Sequence, residues 1–578
     1  MPAMNFDCHP NSVARALALI LGMATVAAPA HAALPSITNV TNFTAALPAG
    51  GNGARPTNPL TEAADGYLYS RARAGGGTVL NNQQGGMDAV FFRIRNDGTG
   101  FEVLASGPTT VAPTSTRWIG ASDGYLYGPG PSSGLIQRYK HGTTTGWEDF
   151  FTGSSGYIIS ILESDNLFFL TANTGSALSS LSLDGSVETL LRATGSSSST
   201  DGSSPHYMIR GSDGRLYGLQ ASGGSGGAGT LFSMNRDGSD YRVLQNFNSL
   251  STGYQNTSAI KPLIEATDGK LYGINYNGSG GDVAGGAIYR IDKDGSNYEQ
   301  IYSFATNTDR GGYNPNTIFQ AQDGHIYIST VNGGANRGGT ILRYRRDDRV
   351  LELLYTFDAL TGPAQNNIWT NPATGVTAVV NAAINGGSNA AGRNPYHLMQ
   401  ASNGQFYGVA MLGGSHGWGS LFRFEPGDEV AADAMLNDVP PEMLGFGVNS
   451  GYLGSATLAV GNSISLYWNT RGVAGCTASS NEPGSAWSGS KVAKANTSVT
   501  AVSVAPVQAG TWTYTLTCRP QSPNYPDVSA SITVNAAPAV TEPQAVGNGG
   551  GGGALGWLLA PLAVLGLACR RRRASASA

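Results

Sequence analysis

Two stretches carry the Gly-x-Ser-x-Gly spacing that sets a serine nucleophile on a sharp turn, Gly120-Ala121-Ser122-Asp123-Gly124 and Gly223-Gly224-Ser225-Gly226-Gly227. That chemistry needs a strand-to-helix turn on an α/β sheet. Ser122 instead fills the place before a turn that Ala64, Thr267 and Gln322 take elsewhere, so the match reflects a Gly/Ser-rich chain. The glycine runs mimic phosphate loops, but none ends in Gly-Lys-Ser/Thr or leads into a helix whose N-terminus could hold a phosphate.

Asp292-Lys293-Asp294-Gly295-Ser296-Asn297 gathers oxygens as a hard cation requires, which makes Asp292 and Asp294 the candidates for calcium. The run departs from the EF-hand pattern, with Gly at the wrong place and no closing Glu, and it reads equally as a hairpin turn. Beyond the first 32 residues the histidines are His141, His206, His325, His397 and His416, with no His-Glu-x-x-His and no close pair. His206 and His397 lie just after Pro205 and Pro395, where innermost strands would bring them to an axial channel as binding residues. Trp147, Trp369 and Trp418 fall in or beside expected loops, with Asn366 and Asn367 next to Trp369. Such rings stack on a sugar or a protein ligand, or else cap a sheet. No residue set here compels a reaction, and no catalytic residue is assigned.

These residues are carried on a repeated unit best seen in Pro262–Ala305. Leu263–Ala266, an Asp268-Gly269 turn, Lys270–Tyr276, a glycine-rich crossing, Ala287–Asp292, an Asp294-Gly295 turn and Tyr298–Phe304 make four short strands. Asp-Gly favours a hairpin because tight turns need positive φ, which Gly adopts freely and Asp tolerates. The first turn recurs at Asp65-Gly66, Asp123-Gly124, Asp165-Asn166, Asp213-Gly214, Asp268-Gly269, Asp323-Gly324 and Asn403-Gly404. Four strands per unit at a period of tens of residues, with no helical pattern, predict an all-β, seven-bladed β-propeller.

The unit spacing is 42 to 58 residues except between Asp323 and Asn403, where it is 80. An insertion at Ala359–Arg393 accounts for the excess, and long loops in compact domains are often functional. The last repeat lacks a fourth strand after Glu425-Pro426-Gly427-Asp428. Ile37–Phe43 resembles the fourth strands of other units, so the N-terminal segment is expected to fill the vacancy and remove two open sheet edges. Propeller sequence thus occupies 33–438. From 439 to 537 alternating Ser, Thr and Val read as a β-sandwich, with 538–553 as a Pro/Gly linker.

The pattern Asp-Gly-x-Leu-Tyr-Gly, a Gly-Gly crossing, Gly-Thr-(Leu/Ile)-(Phe/Tyr)-Arg and a short strand ending in Phe resembles the GloVer tandem repeats of bacterial surface proteins. The resemblance covers roughly residues 60–428 and implies an exported repeat β structure with no established activity. The sandwich is similar to the immunoglobulin-like modules of such proteins. Trp468 precedes Cys476 instead of lying between the cysteines, so antibody topology is not carried over. Gly549–Gly553, the apolar Ala554–Cys569 and Arg570–Arg573 resemble the GlyGly-CTERM sorting tail of Gram-negative bacteria. That resemblance implies a rhomboid-type protease, the rhombosortase, acting near Gly552 and Gly553; a plain membrane anchor through an apolar helix in 554–578 is the other reading.

Residues 1–32 read as a secretory signal with Ala30-His31-Ala32 as cleavage pattern, so that Ala32 would be its last residue. Loss of both ends removes Cys8 and Cys569, and the remaining Cys476 and Cys518 are expected to pair in an oxidising compartment. A formal charge of −4, 12% charged residues and 81 glycines suit a turn-rich extracellular protein and disfavour nucleic acid as partner. The sequence therefore points to an exported, surface-anchored or secreted, non-catalytic binding protein with a glycan or protein ligand at one propeller mouth. A polysaccharide-active enzyme using carboxylates there and a passive structural repeat stand as alternatives. No cofactor is expected beyond the calcium candidate.

Overall fold

Asp65 shows what the Asp-Gly pairs do. In the computed structural model Gly66 takes a φ of 77°, and its N–H donates to Ala63 O at 3.0 Å. The Asp65 carboxylate accepts from the Tyr67 N–H at 3.2 Å and from the Tyr69 hydroxyl at 2.6 Å. The same arrangement recurs at Asp123, Asp213, Asp268 and Asp323, where Tyr127, Tyr217, Tyr272 and Tyr327 donate at 2.6 to 2.8 Å. Only the glycine is left-handed at these turns. The aspartate is thus held by its acceptor capacity, and not by the tolerance of positive φ inferred from the sequence. Burial and the neighbouring carboxylate push the Tyr127, Tyr217 and Tyr272 hydroxyls above their usual pKa, which keeps them donors.

The third unit departs from this plan. Asp165 and Asn166 both take positive φ, and Ser164 pairs directly with Leu167 across a two-residue turn. Phe169 stands in the tyrosine position, and Asp165 pairs with Arg210 at 3.1 Å and Arg236 at 3.3 Å.

The structure describes most of 33–538 apart from 45–52, 75–88, 108–116, 249–259, 276–284, 305–309, 362–366, 371–376, 381–387, 449–453 and shorter breaks. Within it the strands form seven consecutive antiparallel sheets, here blades 1 to 7. Blade 4, with strands Ser203–Arg210, Leu216–Ser222, Gly227–Met234 and Arg242–Asn248, shows the simple order of the type. First strands of neighbouring blades lie against one another, so they are the inner strands of a β-propeller. Between blades pack rows of Leu, Ile, Phe and Tyr; Tyr272, Ile288, Ile318, Ile328 and Leu342 form one such interface. Each blade covers its neighbour's apolar face, which a single four-stranded sheet could not do for itself.

Blade 7 is completed from the N-terminus. Ser36–Asn42 pairs antiparallel with Ser420–Glu425, Ile37 opposite Phe424, with a bulge between Asn39 and Thr41. Phe43 follows, fully buried with Phe92, Tyr407 and Leu421 between blades 7 and 1. Blade 1 has an inner edge the sequence did not reveal: Ala54–Pro56 and Thr61–Glu62 both pair with Tyr67–Ala74. The insertion contributes a hairpin of Asn367–Thr370 and Thr377–Val380.

Two further sheets form the sandwich, and Phe446, Leu466, Trp468, Trp487, Tyr514, Leu516 and Ile532 share its core. Cys476 and Cys518 form a disulfide between adjacent, paired strands of one sheet. Trp468 lies on the opposite sheet. Ala474 joins Phe406 and Phe424 in one apolar cluster, and Arg519 donates to Val430 O at 3.0 Å, so the sandwich rests on blade 7. Among the described residues no helix is long and apolar enough to cross a membrane. The expected signal with Ala32, the linker from 539 on, Gly552, Gly553 and the apolar segment lie outside the described residues.

Candidate functional site

Four inner strands begin alike, as Gly53-Ala54-Arg55-Pro56, Gly202-Ser203-Ser204-Pro205, Gly312-Tyr313-Asn314-Pro315 and Gly392-Arg393-Asn394-Pro395. In each the glycine and the residue before the proline have positive φ. A side chain at Gly202 would set its Cβ 2.7 Å from Thr230 Oγ1, so glycine is needed there for space as well as for φ. After the proline, blades 4, 6 and 7 bulge at His206, Asn316 and Tyr396. A bulge re-aims the residues around it, and the ones affected here sit at the start of the inner strands.

Across this end of the wheel, residues from blades that are not neighbours meet. Arg117, just before the inner strand of blade 2, donates from Nη1 to the hydroxyl of Tyr207 in blade 4 at 2.9 Å, passing over blade 3. His397 of blade 7 feels the Arg117 charge, which together with burial, the larger cause, pushes its pKa down to about 3. Its Nδ1 accepts from Leu60 N–H of blade 1 at 3.2 Å. His397 as a residue keeps some accessible surface while its ring lies deep among protein atoms. Blade 6 joins through Asn316, whose Nδ2 donates to Tyr396 O. Of these hydrogen bonds Arg117–Tyr207 alone skips a blade, and such a bond crosses toward the axis.

His397, one of the axial candidates in the sequence, follows the bulge at the start of the inner strand of blade 7. His206 sits at the bulge of blade 4, half-buried, its carbonyl oxygen facing Thr171 Oγ1 at 3.5 Å. Trp418 corrects the expectation of an exposed ring: it is 6% exposed, in the core between blades 7 and 1, because that interface needs a large apolar filler. Trp147 is half-buried and packs tilted against Trp118, with centroids 4.0 Å apart, and against Phe91 and Tyr139; it closes the outer side of the interface between blades 1 and 2. Trp369 and Asn367 lie on the inserted hairpin, and Asn366 lies outside the described residues. At the calcium candidate, Asp292 is taken by the Lys270 ammonium and by Asn297 Nδ2 at 2.7 Å, while Asp294 caps Ser296 at 2.8 Å. Lysine there occupies the place of a cation. Among the described residues no group of three His, Cys, Asp or Glu could hold a metal ion.

Arg117 and Tyr207 escaped sequence reasoning, since neither belongs to a motif. The Gly-x-x-Pro lead-in shared by four blades was the available signal for the site's location. Also missed was a ring of latches at the other end of the inner strands. Glu163 accepts from Ser122 N–H at 2.9 Å and from its hydroxyl, Glu265 from Ser212 N–H and Oγ at 2.7 and 2.6 Å, and Glu62 from Ser402 N–H and Oγ at 2.7 and 2.6 Å. Gln320 and Gln400 do the same for the N–H groups of Thr267 and Gln322. Each latch satisfies a turn N–H of the preceding blade, which would otherwise lack a partner. Ser122 is therefore a structural donor.

Residues 156–378 match the model of the Gloeobacter/Verrucomicrobia repeat. This stretch carries that repeat. The match spans blades 3 to 6 and part of the insertion; blades 1 and 2, which repeat the Asp–Tyr turn bond, and blade 7 lie outside it. No curated protein matches the sequence. Among solved structures, a streptogramin B lyase is 12% identical, with 68% of this chain and 97% of that chain covered and a TM-score of 0.40. A catalytically inactive virginiamycin B lyase of Staphylococcus aureus with quinupristin is 13% identical, over 68% and 98%, at 0.40. The nidogen/laminin complex gives 14% over 46% and 90%, at 0.31. Such values describe a coarse likeness, and no property of those proteins is carried over.

Proposed function

We propose that this is an exported binding protein, without a reaction of its own, whose ligand is held at the axis on the face where the inner strands begin. The Arg117–Tyr207 bond between blades 2 and 4, with the Arg117 charge felt at His397 of blade 7, supports this reading. These groups can bind and orient. The inner-strand carboxylates Glu62, Glu163 and Glu265 are instead committed to latches, at the far end of strands in which His397 and Gln400 are about 10 Å apart. Export is supported by the Cys476–Cys518 disulfide and by the order of signal, glycine run, apolar segment and arginines in the sequence. On this reading a rhomboid-type protease at the tail is the processing partner, after a membrane-anchored stage.

A glycan array probed with the full chain, wild type against Tyr207→Phe, tests the binding reading. Retention of particular glycans by the wild type and weaker retention by the variant is expected, and a blank array would sink it. Intact-mass analysis of cell-bound and medium protein tests the address. A mass lacking both 1–32 and the residues after Gly553 is expected, whereas an uncut tail would remove the sorting protease.

A further inference from the structure

Most of the described arginines are matched to carboxylates, while Arg71, Arg95, Arg337, Arg393 and Arg471 are not. Arg93, Arg138, Arg290 and Arg343 each pair with a glutamate on the neighbouring strand of their own blade, and Arg215 with Asp240. Arg117 is of the second kind, and it alone of them is bonded to a side chain of a blade that is not its neighbour. It is exposed, its side-chain partner is the neutral Tyr207, and among the described residues no carboxylate lies within ion-pair distance. An unmatched guanidinium at the hub of a protein of net charge −4 calls for an explanation.

The groups around it share one polarity. Tyr207 accepts from Arg117, so its own proton is left to donate, with no acceptor among the described residues. His397 is neutral and uses Nδ1 as acceptor for Leu60 N–H, which assigns its proton to Nε2 and makes that nitrogen a donor. Guanidinium, phenol and imidazole thus present donors only. A planar guanidinium fork pairs with a carboxylate or a phosphate through two parallel N–H···O bonds. A single positive charge among neutral groups matches a monoanion, whereas a phosphate dianion would call for a second cation.

We propose that the Arg117–Tyr207–His397 cluster is a carboxylate site and that its ligand is an acidic sugar, a uronic acid residue whose hydroxyls meet the surrounding neutral polar groups. This rests on the reading of the axis as a binding site. Titration calorimetry of the full chain with glucuronate, glucose and inorganic phosphate at low salt tests it. Glucuronate is expected to bind at least about tenfold more tightly than glucose, a difference of roughly 1.4 kcal/mol, and more tightly than phosphate. Arg117→Gln should abolish that preference with an unchanged melting temperature, since Arg117 is exposed, and Arg117→Lys should restore part of it. Equal binding of glucose and glucuronate, tighter phosphate binding, or an Arg117→Gln variant that binds glucuronate like the wild type would overturn the acidic-sugar assignment while leaving axial binding standing. Absence of binding by any saccharide, on the array and in solution, would overturn both.

Discussion

Glu62 of blade 1 reaches Ser402 of blade 7, 340 residues away, and its two carboxylate oxygens accept from the Ser402 N–H at 2.7 Å and hydroxyl at 2.6 Å. The bond that closes the wheel is the one that joins its interior blades, as at Glu163–Ser122 and Glu265–Ser212. Gly120, at the corresponding place in blade 2, has no side chain to latch onto blade 1. There the Phe91, Trp118, Trp147 and Tyr139 cluster packs the joint.

Replacing Glu62 by alanine leaves the Ser402 N–H without this partner, and a charge-assisted bond of this kind is worth about 1.5–3 kcal/mol. Glu62→Gln should cost well under half of that, because Gln400 already serves Gln322 with an amide oxygen. Urea unfolding of both variants measures it. Equal losses would show that the negative charge, and not the acceptor, holds the joint.

The turn motif gives a second contrast. Tyr272→Phe removes the donor to Asp268 and should cost about 1 kcal/mol, as blade 3 folds with Phe169 in that position. Asp268→Ala also strips the acceptor from the Lys270 N–H and the partner from a buried Tyr272 hydroxyl, so about 2–3 kcal/mol is expected. Melting curves that rank Tyr272→Phe as the more damaging change would refute this account.

How far the fold could be read in advance follows from the range of the interactions involved. The Asp-Gly turns and the strands after them are local, and Asp65 to Tyr69 is a contact across four residues; these were legible. The vacancy after Glu425 was legible as a missing strand, and Ser36–Asn42 fills it. Ala54–Pro56 was hidden in a Gly/Pro-rich stretch, because a three-residue strand starting from a left-handed turn has no alternation to detect. The axial site was half visible. His397 stood out as a histidine two residues after a proline, but Arg117 and Tyr207 become neighbours only when the ring closes, and nothing at their own positions announces it. Trp418 was misread because glycines on both sides suggested a loop, whereas its ring turns into the core between blades.

His397 makes stability depend on pH in a defined window. Its folded pKa of about 3 lies below the ordinary value of 6.5, so the unfolded chain binds the extra proton first. The neutral imidazole contributes fully above pH 6.5, and the contribution is lost as the pH falls toward 3, by about 2 kcal/mol between pH 6.5 and 4.5. Burial also lowers the His325 pKa, with the same sign. Burial raises the Glu265 and Asp213 carboxyls, but the hydrogen bonds and ammonium of their partners outweigh it, so their contributions fall only in more acid solution. His397→Gln should flatten the slope of unfolding free energy between pH 4.5 and 6.5, and an unaltered slope would place the proton elsewhere.

The disulfide acts on the sandwich alone. It closes a loop of 42 residues, for which the chain-entropy model gives roughly 4 kcal/mol. Cys476→Ser with Cys518→Ser should therefore lower a transition monitored by Trp468 and Trp487, which lie in the same core, and leave the propeller transition in place. A common shift of both transitions would mean that the two units unfold together.

Closure by the N-terminal strand carries the heaviest consequence. Phe43 is fully buried between blades 7 and 1, and truncation of such a ring costs about 3–5 kcal/mol. Removing residues 33–44 takes away more than this packing: it strips the partner from Ser420–Glu425 and leaves an unpaired edge rich in apolar residues, Leu421, Phe422 and Phe424. Such edges pair with other chains. Phe43→Ala should stay monomeric with a lowered melting temperature, while the truncated chain should self-associate in light scattering at concentrations where the full chain is monomeric. Supplying a peptide of residues 33–44 in trans should reverse that association by occupying the same edge. A truncated chain that remains a monomer of unchanged stability would mean that blade 7 holds with three strands and that the wheel does not depend on this clasp.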